Sequence, residues 1–73
     1  MAREWVHTVP SGEKWKNEVE GDGDLSTYST KEEAVAAGRE EARKRQTEHV
    51  IHNADGSIGE RNSYGSDPSR SPG

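Results

Sequence analysis

Three histidines are the side chains in this 73-residue sequence best suited to bind a metal or transfer a proton. His49 and His52 lie three residues apart in the segment EHVIH, which has the pattern of a β-strand. Their side chains therefore point to opposite faces, and His7 can join only one of them in a two-ligand cluster. The sequence has no cysteine to complete a zinc site. We expect half-buried histidines that hydrogen-bond locally, with no metal and no cofactor.

Acidic residues form a second set of metal-type ligands. Glu20, Asp22 and Asp24 alternate with glycines in EGDGD, as ligands do in a calcium loop. An EF-hand loop also needs further oxygen ligands and a closing glutamate at fixed spacing, which the segment EGDGDLSTYSTK lacks. The spacing predicts an acidic surface turn.

Catalytic motifs are missing from the sequence. No serine stands in a G-x-S-x-G elbow, and no phosphate-binding loop is present. A chain of this length with few large apolar residues has little volume with which to enclose a substrate. We expect a protein that is not an enzyme.

Basic residues are concentrated near position 40 and favour a nucleic-acid alternative. The predicted patch contains Arg39, Arg43, Lys44 and Arg45. The net charge is −4, however, and residues 1–33 hold eight acidic against four basic residues. Phosphate attraction would act against that overall field. These cations are equally suited to complement a helix C-terminus and to pair with Glu40 and Glu41.

The segment ERNSYGSDP, near the end of the chain, contains one of the two tyrosines and no aliphatic residue. Arginine and tyrosine are favoured at interface hot spots, so Arg61, Asn62 and Tyr64 form a candidate interaction surface. The alternative is that the Tyr64 ring closes the open side of the core while its hydroxyl stays near water.

The apolar pattern predicts five extended segments and one helix, which would position these residues. The predicted strands are residues 4–9, 14–21, 25–29, 48–52 and 58–61, and the helix lies within residues 29–46. Thr30 and Glu33 form a capping box at the start of the helix. Pro10 is expected to end the first strand, and Asn53 to Gly56 to form a tight turn.

These elements predict an α+β fold: a small antiparallel sheet with one helix packed on one face. Residues 1–68 form one domain, and residues 69–73 are expected to be a disordered tail. The predicted core residues are Trp5, Val9, Trp15, Val19, Val35, Ile51 and Ile58. On the helix, the buried stripe is Ala34/Val35, Gly38 and Ala42. So thin a core gives marginal stability, which self-association would relieve.

Three stretches resemble a known family. They are WVHTVPSGEKWKNEVEG, STKEEAVAAGREEARKRQ and HVIHNADGSIGERNSYGSDP, and together they span about residues 5–68. They look like the small bacterial proteins classed as domain of unknown function 2188. The resemblance implies a bacterial or bacteriophage cytoplasmic origin, a strand–strand–helix–hairpin layout and no catalytic residue to carry over. Asn17 departs from the pattern, because an apolar strand residue is expected there.

The leading hypothesis is a non-enzymatic protein-interaction module that can self-associate, with an unknown protein or a second copy as its partner. Nucleic-acid binding through the basic patch is the alternative, and a disordered chain that folds on a partner is a third. No apolar run approaches the length of a membrane span, and the N-terminus has no apolar signal core. We expect a cytoplasmic protein without a membrane partner.

Overall fold

The computed structural model describes residues 4–65, which form a five-stranded sheet with one helix packed on it. The elements are β1 (Val6–Ser11), β2 (Lys14–Val19), β3 (Gly23–Tyr28), α1 (Lys31–Arg45), β4 (Glu48–His52) and β5 (Ile58–Ser63). The strand order is β3-β2-β1-β4-β5. The predicted α+β class is confirmed, while the predicted tail at residues 69–73 lies outside the described residues.

The sheet is mixed, which corrects the expectation of a wholly antiparallel one. β1 and β4 pair in parallel from Val6 opposite His49 to Thr8 opposite Ile51. The other three pairings are antiparallel. Because α1 carries the chain back along the sheet between β3 and β4, β4 runs in the same direction as β3 and β1.

Pro10 does not end β1, contrary to expectation, and the strand continues to Ser11. Glu20 N–H donates to the Trp5 carbonyl at 3.0 Å, so odd-numbered residues of β1 hydrogen-bond to β2. The nitrogen of Pro10 consequently points toward the β4 side, where pairing has already ended at Thr8. Proline is tolerated there because no ladder bond is lost.

The helix begins and ends as its sequence predicts. The Thr30 hydroxyl accepts a hydrogen bond from Glu33 N–H at 3.1 Å. Acidic residues occupy the first turn and basic residues the last, as the helix dipole favours. After Arg45, Gln46 adopts a left-handed conformation with φ of 55°, and its N–H bonds to the carbonyls of Ala42 and Arg43.

The helix packs over β1 to β4 with the small residues Ala34, Gly38 and Ala42 facing the sheet. The buried apolar residues are Val6, Val19, Ala34, Ala42, Val50 and Ile51. Among the predicted core residues, Val19 and Ile51 are buried, whereas Trp5, Val9, Trp15 and Val35 are half-buried. Trp5 lies on the opposite face of the sheet, whereas Trp15 shares the helix face and its ring contacts Lys31 at the start of α1. Small and polar side chains fill the layer beneath the helix.

Ile58 is wrongly placed in the predicted core, because its side chain is 66% exposed. It begins the edge strand β5 and pairs with His52, on the face of the sheet that α1 does not cover. An irregularity in the β4–β5 register also falls at this end of the pair, between Ile51 and His52. Within residues 4–65, no helix is long and apolar enough to cross a membrane.

Candidate functional site on the helix-free face

The face of the sheet opposite α1 carries most of the chemically versatile side chains. Its central residues, here called the open face, are Trp5, His7, Val9, Val50, His52 and Arg61. Alternation along each strand places them together, with Val50 between His7 on β1 and Arg61 on β5. Val50 is only 1% exposed although the helix lies on the other face.

His7 lies at the centre of a chain of close polar contacts on the open face. Its Nε2 lies 2.5 Å from Glu20 Oε2, and its Nδ1 lies 3.0 Å from His52 Nε2. The two imidazole centroids are 5.2 Å apart. The other nitrogen of His52, Nδ1, lies 3.1 Å from the carbonyl oxygen of Gly56. The chain thus runs from a carboxylate through two imidazoles to a backbone carbonyl.

The β4–β5 turn supplies that carbonyl. Gly56 has φ of 92°, and its N–H bonds to the Asn53 carbonyl at 2.8 Å. This confirms the predicted turn. The Ser57 hydroxyl and amide donate to Asp55 Oδ1 at 2.6 and 2.9 Å, and these bonds hold the pKa of Asp55 below its usual value. The turn is therefore held in place by its own side chains.

Trp5 and Arg61 form the second feature of the open face. The guanidinium carbon of Arg61 lies 5.3 Å from the Trp5 ring centroid, within the range of a cation–π contact. Arg61 Nε also lies 3.2 Å from Glu48 Oε1. An aromatic ring just before β1, a carboxylate of β4 and an arginine of β5 thus meet on this face.

A buried polar cluster lies between the sheet and the helix. The Thr8 hydroxyl donates to Asn17 Oδ1 at 2.5 Å and lies 2.7 Å from His49 Nε2. Asn17 Nδ2 donates to the Ala34 carbonyl at 2.9 Å. Asn17, which departs from the apolar pattern, therefore ties the sheet to the helix. The cluster fits because Gly38 lies directly above it and has no side chain.

His49 is buried in this cluster, rather than half-buried as the sequence suggested. Because the Thr8 proton is donated to Asn17, the Thr8 oxygen accepts from His49 Nε2–H. His49 Nδ1 has no hydrogen-bond partner among the described residues. Burial, and then the positive charge of Arg39, lowers the pKa of His49 to about 4, so the ring is neutral at neutral pH.

The contact between the Thr8 hydroxyl and the His49 imidazole is of the kind that a hydroxyl nucleophile makes with its general base in an active site. Both residues are, however, at most 1% exposed, and the hydroxyl proton already belongs to the bond with Asn17. No substrate reaches them in this arrangement, so we interpret the pair as structural.

The predicted surface of Arg61, Asn62 and Tyr64 is divided between two faces. Arg61 lies on the open face, whereas Asn62 is opposite the buried His49 and shares its face. Tyr64 is half-buried and packs against Val6, Val19 and Ala42. The position of Tyr64 matches the alternative in which its ring closes one side of the core. Of the three predicted residues, only Arg61 belongs to the open face.

One of the four residues in the predicted basic patch is occupied by ion pairs within the chain. Arg39, Arg43 and Lys44 are exposed on α1. Arg45 instead binds Glu41 at 2.5 Å, Glu4 at 2.9 Å and Asp22 at 3.4 Å. Hydrogen bonds to Glu41 and then to Glu4, together with their negative charges, raise the pKa of Arg45. Arg45 joins the helix C-terminus to the β2–β3 turn.

The acidic turn makes bonds to cations of the chain itself. Asp22 binds Arg45, and Asp24 Oδ2 lies 3.1 Å from Lys16 Nζ. Among residues 4–65, no group of three or more histidine, aspartate or glutamate side chains is arranged to hold a metal ion.

The Thr8–Asn17–His49 cluster was not predicted from the sequence, and the choice of His52 over His49 as the neighbour of His7 was left open. A signal for the first was present, since Asn17 and Thr8 interrupt apolar strand faces and Gly38 interrupts a helix. The second depends on the parallel pairing of β1 with β4, for which the sequence holds no local signal.

The comparisons with known proteins identify a family. A family model described as an uncharacterized protein conserved in bacteria, domain of unknown function 2188, matches residues 6–64. The matched range contains all six elements of the fold and confirms the resemblance noted from the motifs. No curated protein and no solved structure matches the chain.

Proposed function

This chain belongs to the bacterial family termed domain of unknown function 2188, and from its own surfaces we propose that it is a small non-enzymatic protein-interaction module. Its partner is a second copy of the chain, bound through the open face. The observation that supports this most strongly is the half-buried Trp5 stacked with Arg61 on the face that α1 leaves uncovered.

Sheets are normally covered on their apolar face by another layer. Here α1 covers one face, yet Trp5, Val9 and Val50 lie on the other. Tryptophan and arginine are the residue types most enriched at interface hot spots, particularly where a ring and a guanidinium are already ordered. The open face therefore offers a preorganised centre for a contact.

The charges on β2 favour a second copy as the occupant. Lys14 and Lys16 lie toward one end of the strand on the open face, and Glu18 and Glu20 toward the other. In a two-fold contact with opposed strand directions, the basic end of each copy faces the acidic end of the other. Such a pattern is self-complementary, and it disfavours the parallel arrangement, in which like charges meet.

The buried polar cluster supports the non-enzymatic part of the proposal. The contact between the Thr8 hydroxyl and the His49 imidazole is enclosed by the helix, and the hydroxyl already donates to Asn17. Nucleic-acid binding through Arg39, Arg43 and Lys44 stays the alternative, although Arg45 is bound by three carboxylates.

Sedimentation velocity over a concentration series tests the proposal. The wild-type chain should show a monomer–dimer equilibrium, and Lys14→Glu should weaken the dimer several-fold by removing an attraction and adding a repulsion. Lys44→Glu is the matched control, because it makes the same charge change on the helix.

Three results would contradict the proposal. The first is a wild-type chain that stays monomeric at every concentration. The second is a dimer weakened equally by Lys14→Glu and Lys44→Glu. The third is tight binding to a nucleic-acid duplex that falls steeply with salt and is lost with Lys44→Glu, which would favour the alternative instead.

A further inference from the structure

We propose that His7 and His52 form a binding site for one divalent transition-metal ion, such as Zn²⁺, on the open face. His7 and His52 are 45 positions apart in sequence. They lie on β1 and β4, which are adjacent in the sheet. The site requires only a single chain, so it does not depend on self-association.

The partners of the two rings determine where their protons lie. The Gly56 carbonyl can only accept a hydrogen bond, so His52 carries its proton on Nδ1. The Glu20 carboxylate accepts from His7, which places the His7 proton on Nε2. In the neutral rings, His7 Nδ1 and His52 Nε2 therefore both present lone pairs.

Those two lone pairs face each other at 3.0 Å. In the neutral rings no proton lies between these nitrogens, so the contact is repulsive, and a metal cation bound by both nitrogens would remove the repulsion. A tetrahedral zinc ion bonds to imidazole nitrogen at about 2.0–2.1 Å, which separates two such nitrogens by roughly 3.3 Å. The rings would need to move apart by only a few tenths of an ångström.

The outer partners match those of known metal-binding histidines. A ligating imidazole commonly donates its other N–H to a carboxylate or a backbone carbonyl, which fixes its tautomer and orientation. Here Glu20 does so for His7 and Gly56 for His52. Both kinds of outer partner are thus present before any ion binds.

The surroundings leave room for the remaining ligands. The two histidines line a pocket of about 270 Å³ together with Val9, Glu18 and Glu20. The His7 side chain is 21% exposed, so water can complete the coordination. Imidazole ligands suit zinc, copper and nickel better than calcium or magnesium, which prefer oxygen.

The test is a titration of the full-length ¹⁵N-labelled protein with Zn²⁺ alone at about pH 7.5, where free imidazole is mostly neutral. Two-dimensional spectra of the imidazole nitrogens should show His7 Nδ1 and His52 Nε2 shifting and saturating. His49 serves as an internal control, because its ring is enclosed in the core and should not respond. Mg²⁺ should leave all three rings unchanged.

Three variants define the site. His7→Gln and His52→Gln should each abolish the saturable shift of the remaining ring. Glu20→Gln keeps an acceptor for His7 Nε2–H but removes the charge, and should weaken binding at least about tenfold. Glu13→Gln makes the same change in the exposed β1–β2 turn and should leave the affinity unchanged.

Other outcomes would overturn the proposal. One is an absence of Zn²⁺ response in wild-type spectra that show a proton shared between the two rings. Another is a Zn²⁺ response that persists when both histidines are replaced. Equal loss of affinity in Glu20→Gln and Glu13→Gln would show only general charge attraction. The titration is repeated in Lys14→Glu, which weakens the proposed dimer, so a failure of Zn²⁺ binding is distinguished from a failure of self-association.

Discussion

Replacing Gly38 with alanine should destabilise the fold, although alanine is the better helix former. A Cβ atom at position 38 would lie 2.6 Å from His49 Nε2, 2.7 Å from Asn17 Oδ1 and 2.9 Å from Thr8 Oγ1. Ordinary contacts of this kind begin near 3.5 Å, so these atoms must retreat by roughly half an ångström to one ångström. They are buried, and they hydrogen-bond to one another.

The magnitude follows from three contributions. Forcing one extra methyl group into a packed layer costs about 1–3 kcal/mol. Breaking a hydrogen bond and leaving a buried polar atom unpaired costs about 1–3 kcal/mol more. Replacing glycine by alanine in the middle of a helix stabilises the helix by about 1 kcal/mol. The net expectation is a loss of about 1–5 kcal/mol, a large fraction of the stability of so small a domain.

Equilibrium unfolding in urea, followed by tryptophan fluorescence, measures this change. Ala36→Gly is the matched control, because Ala36 is exposed on the same helix and reports helix propensity alone, at about 1 kcal/mol. A Gly38→Ala variant more stable than wild type by the amount that Ala36→Gly loses would refute the reasoning. That result would mean that the helix does not approach the polar cluster closely.

Two further predictions concern residues buried against the same helix. The pKa of His49 is lowered from 6.5 to about 4 by folding. Between these pH values the ring is therefore protonated in the unfolded chain and neutral in the folded one. The stability from the neutral ring is therefore complete above about pH 6.5 and is lost as the pH falls through about 4, by at most about 1.4 kcal/mol per pH unit. Imidazole NMR spectra should show no titration of His49 near pH 6.5, and a ring that titrates there would contradict its burial. Tyr64→Ala should cost about 2–3 kcal/mol in urea unfolding and Tyr64→Phe much less, because the ring packs against the core; equal losses would point instead to the hydroxyl.

The local elements of the fold are predictable from short stretches of sequence. The helix start depends on Thr30 and Glu33, three residues apart, and the hydrogen bond between them is present. The β4–β5 turn depends on Asn53 and Gly56, and the bond across it is also present. Interactions this close in sequence form whatever the rest of the chain does, so their residue types are sufficient to predict them.

The choice of buried face is a different matter. Alternation in β1 separates Trp5, His7 and Val9 from Val6 and Thr8, and hydrophobicity alone favours the tryptophan face as the core. The structure places the helix on the Val6 and Thr8 face, where Gly38 of α1 leaves room for the buried side chains of Asn17 and His49. Ile58 was misplaced for a related reason, since it pairs with His52 on the face that α1 leaves uncovered.

The sequence by itself determined the class of fold, the helix with its cap, the tight turn and the small residues along the buried stripe of α1. Tertiary structure alone decided that β1 and β4 lie side by side in parallel. That pairing brings His7 to His52, Trp5 to Arg61 and Thr8 to His49. The residues of each pair are at least 41 positions apart, so their meeting depends on the path of the helix across the sheet and not on any local pattern.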